Sequence, residues 1–345
     1  MKKIYVIFFM VFVIMIFPTK GFVKMPEKEM SNLKMQKDSC IFVAGGTGLV
    51  GSAIVRKLKS LGFSNILIKS SKELDLRDDQ KTKKFFFENK IDFVFLSAAK
   101  VGGILANSEN PATFIYDNIK IQTNVIHNSY LSNVKKLLFL GSSCIYPRNC
   151  SQPIKEEYLL SGYLEKTNDA YAIAKICGIK MCQSYNKQYG TNFISCMPTN
   201  IYGKYDNFDL KNSHVMPALI KKFCHAKNNN LDEVVIWGTG TPLREFLHVD
   251  DLADASFFLM QNYTSSEIVN IGTGKDISIK ELAYLIKDIT GFEKKLIFDD
   301  SKPDGTPKKL LDVSKINKFG WRAKISLKEG LEDTINWYSE NYIER

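Results

Sequence analysis

The chain has 345 residues, enough for one large domain or two that share a core, and its 45% hydrophobic content is sufficient to bury one. A formal net charge of +10 suits an anionic partner, but the lysines are scattered, without the basic patch or known module that nucleic-acid binding calls for. Seven cysteines, an odd number with no C-x-x-C pair and no His/Cys cluster, argue against a disulfide framework and a zinc site; they imply free thiols in a reducing compartment and no metal.

Met1 to Lys3 is basic, and Ile4 to Phe17 is an uncharged apolar run closed by Pro18. That is the order of a signal-peptide core, and it is short for a spanning helix, which needs about 20 residues. Lys20 to Asp38 is polar, rich in Met and Lys, and shows no pattern of a packed element. Export sits badly with free thiols, so the expectation is a cytoplasmic protein that touches a membrane only if this leader acts as an anchor. The fold is expected to begin after residue 38.

Ile41-Phe42-Val43-Ala44 is a strand-type apolar run, and Gly45-Gly46-Thr47-Gly48-Leu49-Val50-Gly51 follows it. Ser52 to Ser60 then carries Ile54, Val55 and Leu58 at helical spacing. Strand, Gly turn and helix in that order open a dinucleotide-binding unit. The glycines let the backbone approach a pyrophosphate, and the helix start offers unpaired N–H groups to it. Strands are predicted at Asn65 to Ile68, Asp92 to Ser97, Lys136 to Leu140 and Phe193 to Met197. Helices are predicted at Ala112 to Leu131 and Ala170 to Tyr189, so the alternation is that of a parallel α/β sheet. Beyond Pro198 the pattern turns irregular, with loops rich in Asn, Gly and Pro, and a smaller lobe that closes over a substrate is expected there.

Tyr171 and Lys175 stand at i and i+4, one turn apart on one helix face. An ammonium so placed is expected to favour phenolate and bring Tyr171 toward a useful acidity. Ser142-Ser143 directly follow a strand, at the carboxyl end where open α/β sheets bind ligands. A hydroxyl there can hold a substrate carbonyl while Tyr171 moves its proton.

Gly45-x-x-Gly48-x-x-Gly51, Ser142 with Tyr171-x-x-x-Lys175, and Arg244 to Asp251 together resemble the extended short-chain dehydrogenase/reductase superfamily. Longer blocks at Ala98 to Ile104, Gly141 to Pro147, Met197 to Gly203 and His214 to Ile220 resemble its GDP-L-fucose synthase family, over roughly Ile41 to the carboxyl terminus. The resemblance implies a Rossmann-type doubly wound parallel sheet with a smaller carboxyl-terminal α/β substrate-binding lobe. Residues 39–200 would form the NADP-binding domain, with later segments returning to it, and 201–345 mainly the substrate lobe.

It also implies a two-part reaction on GDP-4-keto-6-deoxy-D-mannose: epimerisation at C3 and C5, then reduction of the C4 ketone by NADPH. Cys144 matches the family's epimerisation base and His214 its acid, while Ser142, Tyr171 and Lys175 serve the reduction. Without the resemblance, Cys144 reads as a small buried residue and His214 as a cap for the helix it opens. His127, His225 and His248 are taken as structural or surface residues. The cofactor would be lined by Gly45 to Gly51, by Asp75 and Leu76 near the adenine, and by Leu140, Gly141, Ser142, Ser143, Lys175, Pro198, Thr199, Asn200, Ile201 and His214 at the nicotinamide. Lys222, Trp237, Arg244 and Asp304 match positions that hold the GDP-sugar, Arg244 through a fork on the diphosphate.

Thr47 departs from the pattern, because bacterial members carry a basic residue there for the 2′-phosphate. Lys69, with no acidic residue beside it, is expected to supply that charge, which favours NADPH. A homodimer joined through helices is a further expectation of the resemblance. A UDP-hexose 4-epimerase would share the Gly turn and the Tyr–Lys pair without needing Cys144 and His214. A non-catalytic cofactor sensor would usually lack the complete Ser/Tyr/Lys set.

Overall fold

A computed structural model describes residues 34–210, 212–302 and 304–342. The hydrophobic leader expected over the first 20 residues lies outside them. Among the described residues no helix is long and apolar enough to cross a membrane.

The first half alternates as the sequence predicts. Strands β1 (Ile41–Ala44), β2 (Ile66–Leu67), β3 (Phe93–Leu96), β4 (Lys136–Leu140) and β5 (Phe193–Pro198) are joined by helices α1 (Leu49–Ser60), α2 (Asp79–Asn89), α3 (Ile104–Glu109), α4 (Pro111–Leu131) and α5 (Asp169–Tyr189). Proline at the first position of α4 costs no hydrogen bond, since that amide has no partner in a helix. Gly190 ends α5 in the left-handed conformation. Strands β1, β3, β4 and β5 are buried along their whole length, as a parallel sheet covered on both faces requires.

The second half is more regular than its composition suggests. It contributes β6 (Asn200–Tyr202), α6 (Val215–Asn228), β7 (Glu233–Trp237), β8 (Leu243–His248), α7 (Val249–Asn262), β9 (Val269–Ile271), β10 (Asp276–Ser278), α8 (Ile279–Thr290), β11 (Lys295–Asp299), β12 (Lys308–Lys309), α9 (Ser314–Phe319) and α10 (Leu327–Tyr342). Most of its strands span two to five residues and alternate or only half-bury their side chains, so none stands out as an apolar run.

The main sheet runs β2-β1-β3-β4-β5-β9, all parallel, so β9 returns from the second half to the sheet's edge. A smaller sheet has β8 at its centre, with β10, β12 and β6 paired to it, and β7 pairs with β11 apart from both. One apolar cluster packs α1 and α7 on one face of the main sheet, and another packs α2, α4 and α5 on the opposite face. A third cluster holds α6, α8 and α10 together as the core of the smaller lobe.

The segment before residue 39 is not wholly unpacked. Met35 is 4% exposed within the α1–α7 cluster, and its amide donates to Gln261 Oε1 at 3.0 Å. The apolar residues of this Met- and Lys-rich stretch follow no helical or strand period, which is why the sequence does not reveal this anchor.

Candidate active site

The Gly turn joins β1 to α1. Gly45 has φ +82°, and a side chain at Gly51 would run into the Gly45 carbonyl oxygen, so neither position tolerates a larger residue. Gly48 caps α1 with no side-chain hydrogen bond, and no acidic residue occupies the first turn. The leading amides and the positive end of the helix dipole are left for an anion. These features fit the pyrophosphate of a dinucleotide.

After β2, Lys69 does have an acidic neighbour. Its Nζ lies 3.6 Å from Glu73 Oε1, and Glu73 also accepts from the Ser70 amide and hydroxyl at 2.8 and 2.7 Å. The pair closes a turn after β2 and not a helix face, so its i,i+4 spacing alone does not signal it in the sequence. Asp75 is committed to Arg77 at 2.8 Å, and Arg77 reaches on to Asp117 at 3.1 Å. The Arg77 contact holds the Asp75 carboxyl below its ordinary value.

The reacting end collects side chains from five segments. Lys175 is buried on α5, and its Nζ donates to the Leu140 carbonyl at the end of β4 (2.8 Å). The Lys175 ammonium sits 5.8 Å from the centre of the Tyr171 ring, facing the ring and not the hydroxyl. Tyr171 accordingly departs from expectation: burial pushes the phenol up, the nearby Cys144 adds to this, and only Ser142 opposes it. Desolvation outweighs a cation whose hydrogen bond goes elsewhere. A neutral phenol suits a proton donor.

Burial also pushes Lys175 down, to about 8. Its folded value lies below that of the unfolded chain, near 10.4, so the native state binds fewer protons between the two and stability rises with pH across that window. Below about pH 8 the full penalty stands, on the order of 3 kcal/mol. Lys175→Met is therefore expected to raise the melting temperature of the cofactor-free protein by a few degrees at pH 7, with the gain shrinking as the pH climbs toward 10. Thermal unfolding across that pH range checks it, and a lower melting temperature at pH 7 would refute it.

Ser142 Oγ accepts the Cys144 amide at 3.1 Å, which fixes a single 3₁₀ turn, Ser143–Ile145, after β4. The half-buried Cys144 Sγ then receives Asn168 Nδ2 at 3.3 Å and Lys309 Nζ at 3.4 Å. Burial alone would raise this thiol. The Lys309 charge, with hydrogen bonds from Ser142, Lys309 and Asn168, outweighs burial and holds it below the ordinary value. Behind the sulfur lies a cavity of about 40 Å³ lined by Arg148, Glu165, Thr306 and Lys309.

His214 occupies the cap position of α6 but makes no side-chain capping bond, so capping is not its role. Its side chain keeps some contact with solvent, and partial desolvation, then the Lys309 charge, lowers it below the ordinary imidazole value. The residues before it are tied to the Val101-Gly102-Gly103 loop by the Gly103 amide, which donates to Asn212 O at 2.9 Å. His248 is buried at the head of α7 and accepts the Asp250 amide at 3.4 Å.

In the smaller lobe, Trp237 is 54% exposed, with Lys222 and Lys302 ammonium groups 5.3 and 5.9 Å from its ring centre. It is thus an open platform, and Lys302 joins it unannounced by any motif. Both Asp304 oxygens hold Thr239, from its amide and its hydroxyl (2.8 Å each), so Asp304 shapes the turn after Trp237. Arg244 spends one donor on Leu243 O at 2.9 Å, and its others have no hydrogen-bond partner among the described residues. Glu245, 0% exposed, accepts the amides of Thr273, Gly274 and Leu311 at 2.6, 2.7 and 2.9 Å. It joins β8, the β9–β10 turn and the residues after β12. Pro198 to Ile201 cross from the main sheet to the smaller one, where Asn200 Nδ2 donates to Glu245 O at 2.8 Å.

Residues 41–272 match the NAD dependent epimerase/dehydratase family. The chain belongs to it. Within the reach of this family, the chain is 57% identical over 319 residues to the putative GDP-L-fucose synthase 2 of Arabidopsis thaliana, covering 92% of this chain and 97% of that one. It is 50% identical over 312 residues to the GDP-L-fucose synthase of Escherichia coli, covering 87% and 97%. Among solved structures, the GDP-L-fucose synthetase of Naegleria fowleri bound to NADP superposes with a TM-score of 0.84 at 32% identity, over 90% and 95% of the two chains. All seven cysteines are free, and among the described residues no group of His, Cys, Asp or Glu could hold a metal ion.

Proposed function

We propose that this chain converts GDP-4-keto-6-deoxy-D-mannose to GDP-L-fucose with NADPH, and that the described site performs both halves of the reaction. The observation that carries this reading is Cys144, held toward thiolate by Lys309 and Asn168 beside Ser142, Tyr171 and Lys175. A ketone reductase alone needs no such base.

The C4 carbonyl acidifies the hydrogens at C3 and C5, its two neighbours, so one site can invert both. Cys144 takes the proton: the C–H bond breaks, an S–H bond forms, and the electron pair passes to the carbonyl oxygen as an enolate. Ser142 and Tyr171 hold that oxygen, and donors aimed at developing charge are worth most where water is excluded. His214 returns a proton on the other face of the ring. When bound, the reduced nicotinamide supplies hydride to C4. Tyr171 donates the proton to the C4 oxygen, and Lys175 holds the ribose that positions the ring. The Gly45 to Gly51 turn would bind the pyrophosphate, with Asp75 and Leu76 near the adenine and Lys69 at the 2′-phosphate. Leu140 to Ser143 and Pro198 to Ile201 would line the nicotinamide, and Arg244, Lys222 and the Trp237 platform, shaped by Asp304, the GDP.

A helix-joined homodimer belongs to the same reading: α4 and α5 pack together and expose Tyr116 and Ile173. We place the reaction in the cytoplasm, where seven free thiols stay reduced. The purified chain should oxidise NADPH only when given GDP-4-keto-6-deoxy-D-mannose, yielding GDP-fucose with solvent deuterium at C3 and C5. Binding of NADPH without turnover of that sugar would refute the reading.

A further inference from the structure

We propose that Lys309 is the dedicated counter-ion of Cys144, a positioning residue that sets when the sulfur acts as a base. The inference rests on the function proposed above for its role in turnover, but its physical content is independent of any substrate.

Three observations carry it. First, Lys309 has no carboxylate within ion-pair distance among the described residues, and its Nζ donates to Cys144 Sγ at 3.4 Å. Its neighbour Lys308 is neutralised by Asp276 at 3.1 Å, so adjacent lysines on one short strand have opposite assignments.

Second, the backbone that carries Lys309 is fixed on both sides. β12 lies parallel to β8 with Lys309 in register with Arg244, which puts the two cations on one face. Leu311, two residues on, donates to buried Glu245 at 2.9 Å. From the other side, the Leu310 amide donates to Gln152 Oε1 at 2.9 Å, and the Ile154 amide donates to Leu310 O at 2.7 Å. Lys309 is thereby tied to the stretch of chain that follows Cys144.

Third, the other charges around the sulfur leave Lys309 as its nearest cation. Arg148 is paired with Glu165 across the cavity at 3.3 Å. Arg244 is part of the same field but is attracted by Asp304 as well as by Cys144. Asn168 and Ser142 offer neutral hydrogen bonds, Tyr171 approaches as a neutral phenol, and His214 and Cys150 feel Lys309 without contacting it. One cation therefore acts on base and acid together. It favours thiolate at Cys144 and disfavours imidazolium at His214.

The test is the pH dependence of iodoacetamide alkylation at Cys144, read by peptide mass spectrometry in the full chain with exposed Cys177 as internal reference. Lys309→Met is expected to move the Cys144 midpoint up by roughly one pH unit, an approximately tenfold loss of thiolate near neutrality, with Cys177 unchanged. Lys309→Gln keeps a hydrogen-bond donor and drops the charge. It should shift as far, and it serves if the Met variant does not fold. Lys309→Arg should restore most of the wild-type profile. With substrate, the pH profile of deuterium incorporation should shift by the same amount while NADPH affinity holds. Superimposable Cys144 profiles for wild type and the charge-removing variants would overturn the proposal. A shifted thiol in a protein that does not turn over the GDP-sugar would instead uphold the pair and refute the function.

Discussion

Cys144→Ala is expected to slow GDP-fucose formation by about 10²–10⁴-fold, the range a positioned general base supplies, while NADPH affinity stays at the wild-type level. The two effects separate because of where the sulfur sits. Of the groups that bond its sulfur, Asn168 and Lys309 lie outside the expected cofactor set and Ser142 alone belongs to it, whereas the cofactor residues Leu140 and Lys175 are bonded to each other. The half-buried position already borders a cavity of about 40 Å³, so loss of one sulfur leaves the neighbours in place. Cys144→Ser is the sharper control. It keeps a small polar side chain for Asn168 and Lys309, but an alkoxide is inaccessible near neutral pH, so the loss should be as large. NADPH fluorescence titration and chromatography of the sugar product read the two quantities. A normal rate of GDP-fucose formation in either variant would remove Cys144 from the role of base.

Much of this site is legible in the sequence, and what is legible is local. The Gly45 to Gly51 turn, the Ser142 position and the Tyr171–Lys175 spacing lie within single elements, so periodicity and turn chemistry reveal them. The parts that tune the chemistry come from distant segments. Lys309 reaches Cys144 across 165 positions through the register of two-residue β12 against β8, and nothing in Pro307-Lys308-Lys309-Leu310 marks one lysine as paired and the next as catalytic support. Asn168 arrives from the head of α5, and Glu245 draws three backbone amides from two segments distant from its own strand. Helical spacing correctly places Lys175 beneath Tyr171, but spacing says nothing of burial. Burial decides the acidity of both, and the Leu140 carbonyl decides where the ammonium points. The Lys69–Glu73 pair is hidden for a similar reason, since it forms across a turn after β2 where no helical periodicity brings the two side chains together.

Tyr171→Phe is expected to cut NADPH oxidation by about 10²–10⁴-fold and to slow deuterium entry at C3 and C5 by much less. Both steps place negative charge on the same C4 oxygen, but they need different things of the phenol. The enolate needs stabilisation, and the Ser142 hydroxyl remains to provide part of it. The alkoxide formed by hydride addition needs a proton delivered within the closed site, and a serine cannot give one up at neutral pH. Burial, then the Cys144 charge, keep Tyr171 protonated well past neutrality, so the phenol is always loaded as a donor. The reduction rate should therefore show no falling limb from Tyr171 across the neutral range; the limb that appears should track Cys144 and His214, the groups Lys309 adjusts. The phenylalanine ring preserves the face that lies 5.8 Å from Lys175, so folding and cofactor binding should survive the substitution. Single-turnover NADPH oxidation beside NMR of C3 and C5 exchange separates the steps. Equal losses in both would mean that Tyr171 acts as an oxyanion donor alone, and that the proton for C4 comes from elsewhere in the site.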